Sequence, residues 1–123
     1  MAVTAAKVDM VIKNNATWID AFKFGDDGDT TWSFAGQNFR MDIKGNKDQP
    51  SALLTLLSTN GTIVVDDPVQ RVLHLNVPDA TIVAALVPGE YKYDFIMYDA
   101  SVPPVRVPLM QGEVKVQQGI TGN

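Results

Sequence analysis

The chain has 123 residues, 46% of them apolar, no cysteine, a net charge of −4 and a sequence pI near 4.7. That composition argues against disorder and excludes a disulfide framework and thiol chemistry, and the acidic balance argues against nucleic acid or an anionic membrane as partner. No apolar run reaches the roughly 18 residues of a membrane helix, and the opening MAVTAAKVDMVIK lacks the basic head and apolar core of a signal peptide. The expectation is one domain over residues 1–123, made in the cytoplasm, with a short arm at 1–6 and a polar tail at 119–123.

After the arm, Val8, Met10 and Ile12 share one parity, which predicts a first strand. Asn14–Asn15 marks a turn. Trp18, Phe22 and Phe24 share a parity on a second strand, where Asp20 is the discordant member. GDDGD at 25–29 is a loop. Trp32 and Phe34 lead into Gly36, and Phe39, Met41 and Ile43 then alternate with Arg40 and Asp42. GNKDQP at 45–50 is the most polar loop. Residues 52–58 and 62–65 flank Asn60–Gly61, and Asn-Gly between apolar runs predicts a hairpin with a type I′ turn, positive φ at both positions. Asp66, Asp67 and Pro68 close that arm. Leu73, Leu75 and Val77 alternate with His74 and Asn76 in a further strand. From Pro78 to Leu86 the alternation breaks, and Asp79 is placed to cap a single helical turn through Ala84–Ala85 before Pro88 and Gly89 stop it.

The clearest pattern is the last. Tyr91, Tyr93, Phe95 and Met97 face one way and Lys92 and Asp94 the other, so a long half-buried strand is predicted. Pro103 and Pro104 break it, and a second long strand ends in Val114 and Val116. Leu86, Pro88, Gly89 and Tyr91 are spaced L-x-P-G-x-Y, as in the tyrosine corner of immunoglobulin-like sandwiches, whose hydroxyl bonds the backbone just upstream. Turn signals at roughly ten-residue intervals fit the same architecture. The fold expected is all-β: an immunoglobulin-like antiparallel β-sandwich of about seven to nine strands with one short helical turn. Its core is expected to gather Trp18, Phe22, Trp32, Phe34, Phe39, Met41, Leu73, Leu75, Tyr93, Phe95 and Val114.

Residue types carry little chemistry. His74 is the single histidine and lies on the outward parity of its strand, so no nucleophile–base pair has support. Asp26, Asp27 and Asp29 cluster, but GDDGDTTW does not fit a calcium loop, and turn chemistry accounts for Asp and Gly there. The sequons at Asn15 and Asn60 lack a secretory context. No glycine-rich phosphate loop is present. No catalytic residue, cofactor or metal is expected. Ile96 and Tyr98 fall on the outward face of their strand, which points to a second layer or a partner surface.

The order of motifs resembles a family of small phage virion domains, the N-terminal immunoglobulin-like domain of phage baseplate upper proteins. A strand and polar turn lead into an aromatic strand (residues 12–24), then Trp32-Ser33-Phe34-Ala35-Gly36. The strand 39–44 follows, and the leucine-rich run through a glycine turn to Ile63-Val64-Val65 comes next. Pro88 to Phe95 and Gly112 to Val116 make the closing pair. The resemblance implies a non-enzymatic structural or accessory protein of a tailed-phage virion, in head, neck, tail or baseplate, docking by strand edges, loops and arms onto other phage structural proteins. A homo-oligomer or symmetric assembly is expected, with Met1, Ala2, Val3, Ile96, Tyr98, Gly119 and Ile120 as partner contacts. With the chain ending at Asn123, a single-domain accessory protein is expected rather than a multidomain baseplate adaptor. The other reading is an adhesion sandwich binding carbohydrate or a cell surface, which exposed aromatics at loop ends would favour.

Overall fold

A computed structural model describes residues 6–25, 31–46 and 49–119 of the chain. In chain order its elements are β1 (Ala6–Lys7), β2 (Met10–Lys13), β3 (Trp18–Lys23), β4 (Asn38–Lys44), β5 (Leu54–Leu57), β6 (Ile63–Asp67), β7 (Val72–Val77), α1 (Asp79–Ala85), β8 (Gly89–Tyr98) and β9 (Arg106–Gln117). They form two facing sheets. The larger runs β1-β9-β8-β4-β5 with β2 also on β9, and the smaller runs β3-β7-β6. This split of strands, with a helical link and a tyrosine corner between β7 and β8, is an immunoglobulin-like sandwich.

Alternation decides which faces meet. Phe39, Met41 and Ile43 of β4, Leu73, Leu75 and Val77 of β7, and Phe95 of β8 are fully buried. Each such side chain contributes about 1.5–3 kcal/mol on leaving water. The loop residue Phe34 joins them, its ring 4.7 Å from Phe39 and 5.8 Å from Phe24. The expected core set shares this interior, with Phe22 and Trp32 only half-buried at its margin. Asp20, discordant in the sequence, accepts a hydrogen bond from Trp18 Nε1 at 2.7 Å, which accounts for a carboxylate on that parity.

The tyrosine corner is present. Leu86 and Tyr91 are buried, and the Tyr91 hydroxyl donates to the Val87 carbonyl. Ahead of it, α1 buries Ile82 and ends with the Leu86 amide donating to the Ile82 carbonyl at 2.8 Å.

Three local expectations are corrected. Asp79 is the first residue of α1, not its cap; Pro78 holds the cap position and no side chain bonds the helix start. Asn60–Gly61 does not close a hairpin, because β5 and β6 belong to different sheets. A 3-10 turn at Ser58–Asn60 carries the chain across instead, and only Gly61 (φ 83°) has the positive φ that a type I′ turn needs twice. The Thr62 hydroxyl and the Leu57 amide (2.9 Å), with the Ser58 hydroxyl and the Phe39 amide (2.9 Å), hold the crossing. Burying both Leu56 and Ile63 between opposed layers requires that crossing.

Third, the first strand is broken in two, and both halves run parallel to β9. Its break falls at Val8–Asp9. The Asp9 carboxylate accepts from the Glu113 amide at 3.0 Å, and the Tyr93 hydroxyl donates to the Val8 carbonyl. Gly112 makes the approach possible: a Cβ there would lie 2.4 Å from the Val8 carbonyl oxygen.

Candidate functional site

The outer face of the large sheet follows from the same alternation. Burying Phe39, Met41 and Ile43 turns Arg40, Asp42 and Lys44 outward, and burying Tyr93, Phe95 and Met97 turns Lys92, Asp94, Ile96 and Tyr98 outward. An irregularity between Phe95 and Ile96 shifts the register on β9, which buries Leu109 and Met110 together and leaves Arg106, Pro108 and Gln111 on the outer side. The strands then place these side chains in rows: Asn38–Tyr98–Arg106, Arg40–Ile96–Pro108, Asp42–Asp94–Gln111 and Lys44–Lys92–Glu113.

Arg40, Asp42, Asp94, Ile96, Tyr98, Pro104 and Arg106 line an open depression of about 460 Å³. Ile96 and Tyr98 are half-buried in it, on the outward face that the sequence assigned them. Arg40 Nε donates to Asp42 at 3.0 Å, and the Thr55 hydroxyl donates to the same carboxylate at 2.8 Å. Asp94 has no such ion pair among the described residues. Burial, then the facing Asp42 carboxylate, raise its pKa above the ordinary carboxylate value. Two like charges directly opposite on neighbouring strands are unfavourable by themselves, so this face is not arranged for the stability of the isolated sheet. One row further, Lys92 pairs with Glu113.

The connection from β8 to β9 borders the depression. The Asp99 carboxylate accepts from the amides of Val105 (2.9 Å) and Ser101 (3.1 Å), and these bonds hold its carboxyl below the usual range. The loop so ordered presents Val102 at 97% exposure and Val105 at 60%.

The other candidates are scattered. His74 lies in the small sheet with Nδ1 2.8 Å from Asp66 Oδ2. Among the described residues no group of three or more His, Cys, Asp or Glu stands close enough to hold a metal. Trp18, Phe34 and Phe39 are core residues, and Trp32 is half-buried against the core. The Gly119 amide donates to Asn14 Oδ1 of its own chain at 2.9 Å. Met1, Ala2, Val3 and Ile120, and the loop acids Asp26, Asp27 and Asp29, lie outside the described residues.

One residue had no signal in the sequence. Arg71 is fully buried, with φ 60°. Its guanidinium donates to the carbonyls of Phe24 (2.7 Å), Val69 (2.9 Å) and Trp32 (3.1 Å) and lies 5.2 Å from the centre of the Trp32 ring. It ties the connection between β3 and β4 to the start of β7. Nothing in its neighbours Gln70 and Val72 distinguishes it from a surface arginine.

No family model and no curated protein matches this sequence. Among solved structures, extracellular domains 3–5 of Drosophila OTK align over 98% of this chain with a TM-score of 0.33 and 11% identity. The chain spans 36% of the length of that structure. A likeness at that level carries no argument about fold or function.

Proposed function

We propose that this chain is a non-enzymatic structural or accessory protein of a tailed-phage particle, docking as a folded unit onto other structural proteins. The observation that carries the docking reading is the outer face of the large sheet. It is an open depression on rigid strands with mixed charge and a half-buried Ile96 and Tyr98, bordered by an ordered loop with exposed valines. Such a face suits broad contact with a macromolecule rather than enclosure of a small substrate. The phage assignment is supported by the order of motifs, from the aromatic second strand to the Gly-Glu-Val-x-Val close. The adhesion reading calls for an exposed cluster of aromatics at loop ends; Trp18 and Phe34 are buried and Trp32 and Tyr98 are half-buried, so none of the four is fully exposed.

The test is peptide mass spectrometry of particles purified from the host that encodes the chain. The chain is expected at a fixed ratio to the other particle proteins, and its absence from the particles would overturn the proposal. Deleting residues 1–5 should leave the domain folded and lower its occupancy. Wild-type occupancy after that deletion would remove the arm from the docking contacts.

A further inference from the structure

The rows on the outer face have a symmetry of their own. Ile96 occupies the middle row, between Arg40 and Pro108. Two residues along β8 in one direction lies the row Asn38–Tyr98–Arg106, in which every side chain carries a hydrogen-bond donor. Two residues in the other direction lies Asp42–Asp94–Gln111, which carries two carboxylates and an amide oxygen. Donor row and acceptor row thus stand at equal distances, about 7 Å, on either side of Ile96. A half-turn about an axis lying in the face and crossing β8 at Ile96 lays the donor row of one copy over the acceptor row of the other, and does so twice, as an isologous contact requires.

We propose that two copies of this chain pair face to face across the outer surface of β4, β8 and β9, with Ile96 on the two-fold axis, Tyr98 of each copy over Asp94 of the other, and Arg106 over Gln111, one strand away from that Asp94. The inference rests on the docking reading above and names its partner. Charge selects a second copy over an unlike chain: the depression carries two arginines and two aspartates, so its sum is neutral while its halves are opposite. Asp42 already neutralises Arg40 at 3.0 Å, so the two copies of Arg40 do not meet as bare charges. Asp94 and Arg106 are in no ion pair among the described residues, and the second copy supplies each with its counter-charge. The same contact covers Ile96 and brings Val102, 97% exposed beside the depression, to its rim. It also eases the facing carboxylates, since Arg106 of the other copy, one strand away from Asp94, favours the charged form of one of the two.

Sedimentation equilibrium on the purified chain tests this. A dimer is expected, weakened at least tenfold by Asp94→Arg and by Arg106→Asp, each with a melting temperature close to that of a dilute wild-type sample. Mixing the two variants in equal amounts should restore dimers. The Arg106 that the first variant keeps then lies one strand away from the Asp94 that the second keeps, and the two introduced side chains, opposite in charge, are placed likewise. A wild-type chain that stays monomeric at every soluble concentration overturns the pairing. So does a single variant that dimerises like wild type, or a mixture that stays monomeric. A monomer that is nonetheless found in purified particles defeats the face pairing and leaves the docking reading standing; a dimer absent from particles does the reverse.

Discussion

Replacing Arg71 by methionine should be the most damaging single change at a charged position in this protein. Methionine keeps the length of the stem and removes the guanidinium, which donates to the carbonyls of Phe24, Trp32 and Val69. A hydrogen bond from a charged group is worth about 1.5–3 kcal/mol, and a buried carbonyl left without a donor costs about 1–3 kcal/mol. Val69 is an exposed residue, so the loss at its carbonyl is discounted. Phe24 and Trp32 are half-buried and bear most of the loss. Against this, the variant no longer buries a guanidinium, which offsets part of the cost. The balance is a destabilisation of about 3 kcal/mol, a large share of the ~5–15 kcal/mol of an ordinary domain. In urea, with a slope of about 1–1.5 kcal/mol/M, the midpoint should fall by about 2–3 M with the slope unchanged. Arg71→Lys should recover little of it, because a lysine ammonium cannot span the three carbonyls as the planar fork does. The emission of Trp32 should change in both variants, since the cation stands over its ring. A methionine variant within about 0.5 kcal/mol of wild type would refute the reasoning, as would a lysine variant indistinguishable from it.

Tyr91→Phe removes only the hydroxyl bonded to the Val87 carbonyl, so a loss of about 1 kcal/mol is expected by urea unfolding, and no loss would mean that the corner bond contributes nothing. Gly112→Ala places a Cβ 2.4 Å from the Val8 carbonyl oxygen, so β1 must separate from β9 at a cost of about 1–3 kcal/mol; hydrogen exchange should quicken at the amides of Val8 and Glu113, and unchanged protection there would contradict the close approach. Asp94 has a folded pKa raised by burial and by Asp42, so the folded state holds more protons than the unfolded chain just above the ordinary carboxylate pKa, and its contribution to stability declines as pH rises through that window. Asp94→Asn should therefore be more stable than wild type at pH 7 in dilute solution and less pH-dependent just above the ordinary carboxylate pKa, and urea midpoints that run parallel for the two proteins would sink this.

Much of the architecture was legible because period-two alternation is written into single strands. Tyr91, Tyr93, Phe95 and Met97 all proved buried and Lys92 and Asp94 outward-facing, since a strand with one apolar face has one way to sit on a core. The L-x-P-G-x-Y spacing located the corner for the same reason: its parts lie within six residues. The Asn60–Gly61 hairpin does not form because the local turn signal is the same whether the chain returns to its own sheet or crosses to the other. What decided was the need to bury Leu56 and Ile63 in opposed layers, which no short window contains. The parallel pairing of the first strand with β9 depends on contacts about 104 residues apart, among them Asp9 with the Glu113 amide.

The sequence by itself determined where most of the strands lie, which face of each is apolar, and that the inventory holds no thiol and one histidine. The tertiary structure alone decided what stands beside what. Ile96 and Tyr98 were readable as outward residues, but the rows Asn38–Tyr98–Arg106 and Asp42–Asp94–Gln111 exist only through the registers of three strands, one of them shifted at Phe95/Ile96. Arg71 became a structural keystone only when the folded backbone brought two carbonyls of the distant β3–β4 connection to its guanidinium. Alternation is a local property carried by covalent neighbours, whereas register and burial are settled by the whole core at once, and a functional surface on a sheet is made of register.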